Sequence, residues 1–126
     1  LPISLVANEH EAGLILTQLG ELQPPATEEE MAAVLLAQGF ASVVITRGAG
    51  GAVVGHGDTI TPIPAPRVEA IDTTGAGDAF VGALAARLAH GASLVDASAY
   101  ASRVAALSTT RRGTQSAYPT AADELP

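Results

Sequence analysis

Two unbroken apolar runs, separated by helical patterns, restrict this chain to a layered α/β fold. Leu1 to Val6 and Ser42 to Thr46 are rich in β-branched residues, the pattern of buried strands. Between them Asn8 is placed to cap a helix in which Ala12, Ile15, Leu16 and Leu19 recur at i, i+3, i+4 and i+7, stopped by Gly20. Thr27 with Glu30 predicts a capping box for a second helix, with Met31, Val34 and Leu35 inward and Gly39 at its end. Ala52 to Val54 reads as a third strand and Thr59 to Ile63 as a fourth, interrupted by prolines 62, 64 and 66. A long helix follows from about Gly77 to His90, with Val81, Leu84, Ala85 and Leu88 on one face. Ser93 caps a last helix carrying Leu94, Ala97, Ala101, Val104 and Ala105. The tail from Arg111 is polar, and Thr120 to Leu125 reads as the start of another helix. The order strand, helix, helix, strand, strand, strand, helix, helix predicts an α/β domain with a partly parallel sheet.

Bulk properties narrow the function. With 126 residues, 48% hydrophobic and 15% charged, the chain reads as globular and as one domain at most. A net charge of −7, with six arginines and no lysine, argues against nucleic acid as a partner and excludes a Walker A loop. No apolar stretch is long enough for a membrane span, so no membrane partner is expected. The absence of cysteine removes disulfides and thiolate metal sites and fits a cytoplasmic protein.

The run Asp72-Thr73-Thr74-Gly75-Ala76-Gly77-Asp78 enters a helix at once through Ala79-Phe80-Val81-Gly82. Gly75 and Gly77 leave the backbone bare, and the helix start adds unpaired amides and the positive end of a dipole. That combination is an anion site suited to phosphate. Asp78 at its edge is out of place in a site that only holds an anion, and makes sense as an acceptor of the proton of an attacking hydroxyl. The same Gly-x-Gly-Asp string also serves as an ordinary loop-to-helix turn, with either aspartate accepting backbone bonds.

Three further segments bear on chemistry. Asn8-Glu9-His10-Glu11 follows a strand end, where ligands gather in open α/β sheets; equally, it is an acidic helix start in which Glu9 complements the dipole and His10 faces solvent. Thr46-Arg47-Gly48-Ala49-Gly50-Gly51 offers bare backbone and a hydroxyl to a phosphate or ribose, or forms a tight hairpin connection. Arg47 in that loop faces either a nucleotide phosphate or solvent. Arg111-Arg112-Gly113-Thr114-Gln115 ends the last helix, where two arginines complement its negative end.

Taken in order, these four segments resemble the signatures of the ribokinase-like (PfkB) family of carbohydrate kinases, most closely its ribokinase members. The resemblance runs over practically the whole chain. It implies a three-layer α/β/α Rossmann-like sheet, the C-terminal portion of that family's fold. It implies Asp78 as catalytic base and Gly75, Ala76 and Gly77 as the anion hole. Asn8 and Glu11 would organise magnesium and its waters, and Thr46, Arg47, Gly48, Ala49, Gly50 and Gly51 would line the ATP. Asp72, Thr74, Ser108, Arg111 and Gly113 would surround a monovalent cation such as potassium, although Ala117 stands where ribokinases often carry a hydroxyl.

The family's members are much longer, so the chain is expected to be a single partial domain, the nucleotide-binding and catalytic half without the sugar-binding and lid part. Strand edges and an apolar face would then be open, predicting a homodimer or dependence on the missing N-terminal half. Alone, it is expected to be inactive for want of a sugar site to position the hydroxyl. Ribose is the expected acceptor; fructose phosphates, other sugars and nucleosides share these signatures. The alternative is a truncated, non-catalytic subunit that binds nucleotide or serves an assembly.

Overall fold

The structure is a computed structural model and describes residues 4–23 and 25–110. Its elements follow the predicted order: β1 (Ser4–Asn8), α1 (Glu9–Gln18), α2 (Glu28–Ala37), β2 (Ser42–Thr46), a 3₁₀ turn (Gly48–Gly50), β3 (Ala52–His56), β4 (Thr59–Ile63), α3 (Ala76–Ala89) and α4 (Leu94–Ser108). The expected tail helix at Thr120 to Leu125 lies outside the described residues.

The described chain forms two compact units. The first holds the residues up to Arg47 together with Ala52–Pro62; the second holds Gly48–Gly51 and the chain from Ile63. In the first, the strands lie in chain order, β1-β2-β3-β4. β1 runs parallel to β2 with Ser4 opposite Ser42 and Asn8 opposite Thr46, and β2 runs antiparallel to β3 with Thr46 opposite Ala52. The sheet is therefore mixed. The period of two sends Leu5, Ala7, Val43, Ile45 and Val53 to one face, where Ala12 and Leu16 of α1 and Ala32 and Leu35 of α2 close over them. Leu16, Leu35, Val43, Ile45 and Val53 are wholly removed from solvent, each such side chain stabilising the fold by about 1.5–3 kcal/mol. Val44, Ala52 and Val54 on the opposite face are equally buried, as unbroken apolar strands require.

The helix starts are set by side-chain oxygens. Thr27 Oγ1 accepts from the Glu30 amide at 3.2 Å, but the reciprocal half of the expected box is not made. The complete box forms instead at α1, where Asn8 and Glu11 exchange bonds. Ser93 Oγ accepts from the Asp96 amide at 3.1 Å and opens α4.

In the second unit α3 packs against α4. Arg87 stacks 3.9 Å from the centroid of the Tyr100 ring, and the His90 ring bonds to the Ala86 carbonyl at the end of α3. The buried face of α3 is Ala79, Phe80 and Leu84. This corrects the expected face: Val81 is 50% and Leu88 41% exposed, and Ala85 is exposed as well. Two apolar stripes overlap on this helix, and the one containing Phe80, the bulkiest side chain, is the one that packs. On α4 the buried set is small, with Ala97, Ser98, Ala101, Ser102 and Val104 among it. Ser98 is wholly buried and its hydroxyl has no hydrogen-bond partner among the described residues.

Candidate active site

In the first unit the candidate residues gather at the C-terminal ends of β1 and β2. Asn8 ends β1 and caps α1: its Oδ1 accepts from the Glu11 amide at 2.8 Å, while Glu11 Oε1 accepts from the Asn8 amide at 3.0 Å. These reciprocal bonds account for the Asn-x-x-Glu spacing by helix capping alone. They use one oxygen of the Glu11 carboxylate. Thr46 stands opposite Asn8 on the parallel ladder, so the two segments meet at one end of the sheet.

Arg47 is engaged within the protein. Its Nη1 lies 3.3 Å from both carboxylate oxygens of Glu29 and 3.8 Å from Oε1 of Glu28. Glu28 and Glu29 belong to the first turn of α2, where a negative charge also complements the helix dipole. Sequence reading did not connect them to Arg47, because eighteen residues separate Glu29 from its partner and an acidic first turn needs no arginine to explain it.

In the second unit the glycine-rich turn closes by a bond from the Gly51 amide to the Gly48 carbonyl at 3.1 Å. Gly48 and Gly51 have φ of +58° and +89°, the left-handed region that favours glycine. Gly51 has a second reason to be glycine: a Cβ there would stand 2.8 Å from Ala65 N and 2.9 Å from Pro64 C, and closer still to the Ile63 carbonyl oxygen.

The Asp72–Asp78 loop is built in two steps. Asp72 Oδ1 accepts from the Thr74 amide at 2.9 Å, an Asx turn that starts the bend. The amides of Ile71 and Asp72 both donate to the Thr109 carbonyl, at 2.6 and 2.9 Å. That tie brings Asp72 to the end of α4, beside the buried Ser108, whose hydroxyl donates to the Ala105 carbonyl. Of the residues expected around a monovalent cation, Asp72, Thr74 and Ser108 belong to this corner; Arg111 and Gly113 lie outside the described residues.

Gly75 then caps α3 with φ +80° and no side-chain cap. Ala76 donates to the Thr73 carbonyl and Ala79 to that of Gly75. Among the described residues, the amides of Gly75, Gly77 and Asp78 have no protein acceptor. Gly77 is exposed, has ordinary helical φ, and a Cβ there would meet nothing within 4 Å. Neither backbone conformation nor packing requires glycine at that position. Asp78, also exposed, has no hydrogen-bond or ion-pair partner among the described residues. The helix start thus presents unsatisfied donors, the positive end of a dipole and an unengaged carboxylate together. Such a site can receive a phosphate and accept a proton from a hydroxyl beside it.

Among the described residues no group of three or more acidic or histidine side chains is placed to hold a metal ion, and no helix is long and apolar enough to cross a membrane.

A mixed sheet flanked by helices, with loops at strand ends opening helices, makes this an α/β protein of Rossmann-like architecture. The model of the pfkB family carbohydrate kinases matches residues 2–121, and the chain belongs to that family. Ribokinase from Schizosaccharomyces pombe is 39% identical over 121 residues, covering 91% of this chain and 37% of that protein. Mouse ribokinase is 42% identical over 116 residues, covering 89% and 35%. A crystal structure of ribokinase from Thermotoga maritima superposes with a TM-score of 0.82 at 33% identity, over 92% of this chain and 38% of that one. An Escherichia coli ribokinase II in complex with ATP and Mg2+ gives 0.76 at 32% identity, over 92% and 35%. Phosphofructokinase-2 from E. coli in complex with potassium gives 0.78 at 28% identity, over 90% and 37%. The chain spans little more than a third of the length of the relatives it matches.

Proposed function

We propose that this chain is the nucleotide-binding and phosphoryl-transferring part of an ATP-dependent kinase acting on a sugar hydroxyl, ribose being the leading candidate. The observation that carries the reading is the start of α3, where the exposed Asp78 and the amides of Gly75, Gly77 and Asp78 itself have no partner among the described residues. Asp78 takes the proton of the attacking hydroxyl, and the amides hold the charge that grows on the transferred group. Thr46 and the Gly48–Gly51 turn line the nucleotide, while Arg47 pairs with Glu28 and Glu29 in the first turn of α2.

The donor set fits magnesium. Glu11 and Asn8 are hard oxygen donors at a strand end, and a lone carboxylate suits an ion that keeps several waters and takes its other oxygens from phosphate. Bound magnesium would neutralise phosphate charge. Asp72 and the carbonyl of Thr74 are oxygen donors of the kind potassium takes, beside the end of α4.

The sugar-binding part is supplied by the remainder of a longer kinase or by another chain. Exposed apolar surface supports this: Val6 on edge strand β1 is 39% exposed, and Val81 and Leu88 of α3 are 50% and 41% exposed. Alone, the chain binds nucleotide without turning over sugar. Joined to a family N-terminal part, the Asp78→Asn variant is expected to lose about 10²–10⁴-fold in kcat with ATP affinity kept. A variant with near-normal turnover refutes the role of Asp78.

A further inference from the structure

We infer that Gly51 is a positioning residue: it seats the glycine-rich turn on the backbone of residues 63–65 and so makes that turn one body with the Asp72–Asp78 loop. The inference rests on the nucleotide-binding reading above and adds which residue holds the nucleotide-lining turn to the unit that carries the phosphoryl-transfer loop. In sequence the turn lies between β2 and β3, both of the first unit, yet Gly48–Gly51 belongs to the second. The seat explains how. All three atoms nearest to a Cβ at position 51 are main-chain atoms of Ile63, Pro64 and Ala65, two of them at 2.8 and 2.9 Å and the third closer. Real Cβ atoms essentially never approach within 3.0 Å. The neighbour cannot yield by turning a side chain, and Pro62, Pro64 and Pro66 fix φ at alternate positions along it. Ile63 itself is buried at 4% exposure. The turn must therefore give way, and any side chain at 51 lifts it off its seat. Gly48 and Gly57 also have positive φ, +58° and +61°, but open space where a Cβ would stand. A substitution there strains the backbone without displacing anything.

The test is a comparison of Gly51→Ala with Gly57→Ala, which makes the same left-handed demand in the β3–β4 connection away from the site. Titration of the chain with MgATP is expected to show the dissociation constant rising at least about tenfold in Gly51→Ala and staying within about twofold in Gly57→Ala. Hydrogen exchange is expected to quicken in residues 63–67 and 72–78 in Gly51→Ala and not in Gly57→Ala. Pro64→Gly, which softens the seat without entering the turn, is expected to shift both readouts in the same direction, and it decides the matter if Gly51→Ala does not fold. Folded Gly51→Ala that binds MgATP within about twofold of the parent chain overturns the inference. If the parent chain binds no MgATP, the nucleotide reading fails by itself. The seat is then judged by exchange: unchanged protection of 63–67 and 72–78 in Gly51→Ala overturns it, and lost protection supports it.

Discussion

Replacing Gly77 by alanine separates what the fold needs from what a ligand needs. Gly77 is the second residue of α3, exposed, with helical φ and nothing within 4 Å of where a Cβ would stand. Alanine is preferred to glycine inside a helix by about 0.5–1 kcal/mol, because it loses less backbone entropy on folding. In a first turn, where fewer neighbours are fixed, the lower figure applies, and about 0.5 kcal/mol raises the melting temperature of a domain of this size by about 2 °C. The same methyl is added to one of the three residues, Gly75, Gly77 and Asp78, whose amides have no acceptor among the described residues. If those amides receive the transferred phosphoryl, blocking one removes a donor whose loss typically costs about 10²–10³ in kcat. One methyl group is thus expected to move stability up and turnover down. Scanning calorimetry of the chain reads the first, and a coupled ADP-release assay on the kinase completed with its sugar-binding part reads the second. A variant that is more stable and fully active refutes the phosphoryl cradle. A variant that melts lower refutes the claim that the fold does not require glycine there.

Further outcomes are expected at other sites. Asn8→Ala removes the α1 cap and should cost about 1 kcal/mol in urea unfolding. Glu11→Gln keeps the box, since glutamine can make the same bond, and should instead weaken MgATP binding in a titration. Leu35→Ala, at a site with no solvent exposure, should cost about 2–5 kcal/mol by the same unfolding assay. Ser98→Ala deletes a buried hydroxyl that has no partner among the described residues and should leave the melting temperature unchanged or raise it, by up to about 1 kcal/mol in stability. A loss above that size would mean that the hydroxyl has a bond the structure lacks.

Much of the fold was legible because strong local signals agreed. Ser42–Thr46 was found to the residue, since five small or apolar residues between Ala41 and a glycine-rich turn leave little else to form. Asn8 and Ser93 cap their helices as read. What failed was information that only packing supplies. The α3 periodicity is satisfied by two overlapping stripes, and nothing in spacing says that Phe80 and Leu84, not Val81 and Leu88, are the ones covered. The Arg47 pairing joins residues eighteen positions apart, beyond any local rule. At Gly51 the residue type was noticed and one of its causes missed: bare backbone was read as room for a ligand or a hairpin turn, while the structure also fills that space with the chain at 63–65. The Asp72–Asp78 loop was recognisable as a string, but its tie to the Thr109 carbonyl was not.

The chain-order sheet bears on how the molecule assembles. The β2–β3 pairing starts between Thr46 and Ala52, six residues apart, whereas Asn8 meets Thr46 across thirty-eight. The larger closure costs about 1.6 kcal/mol more in loop entropy, so the hairpin is expected to zip early and β1 to arrive last. A late-arriving strand at the edge of the described sheet is also the piece most readily traded between molecules at high concentration. Slow, dilute refolding should therefore yield a different mixture of species from rapid refolding in concentrated solution.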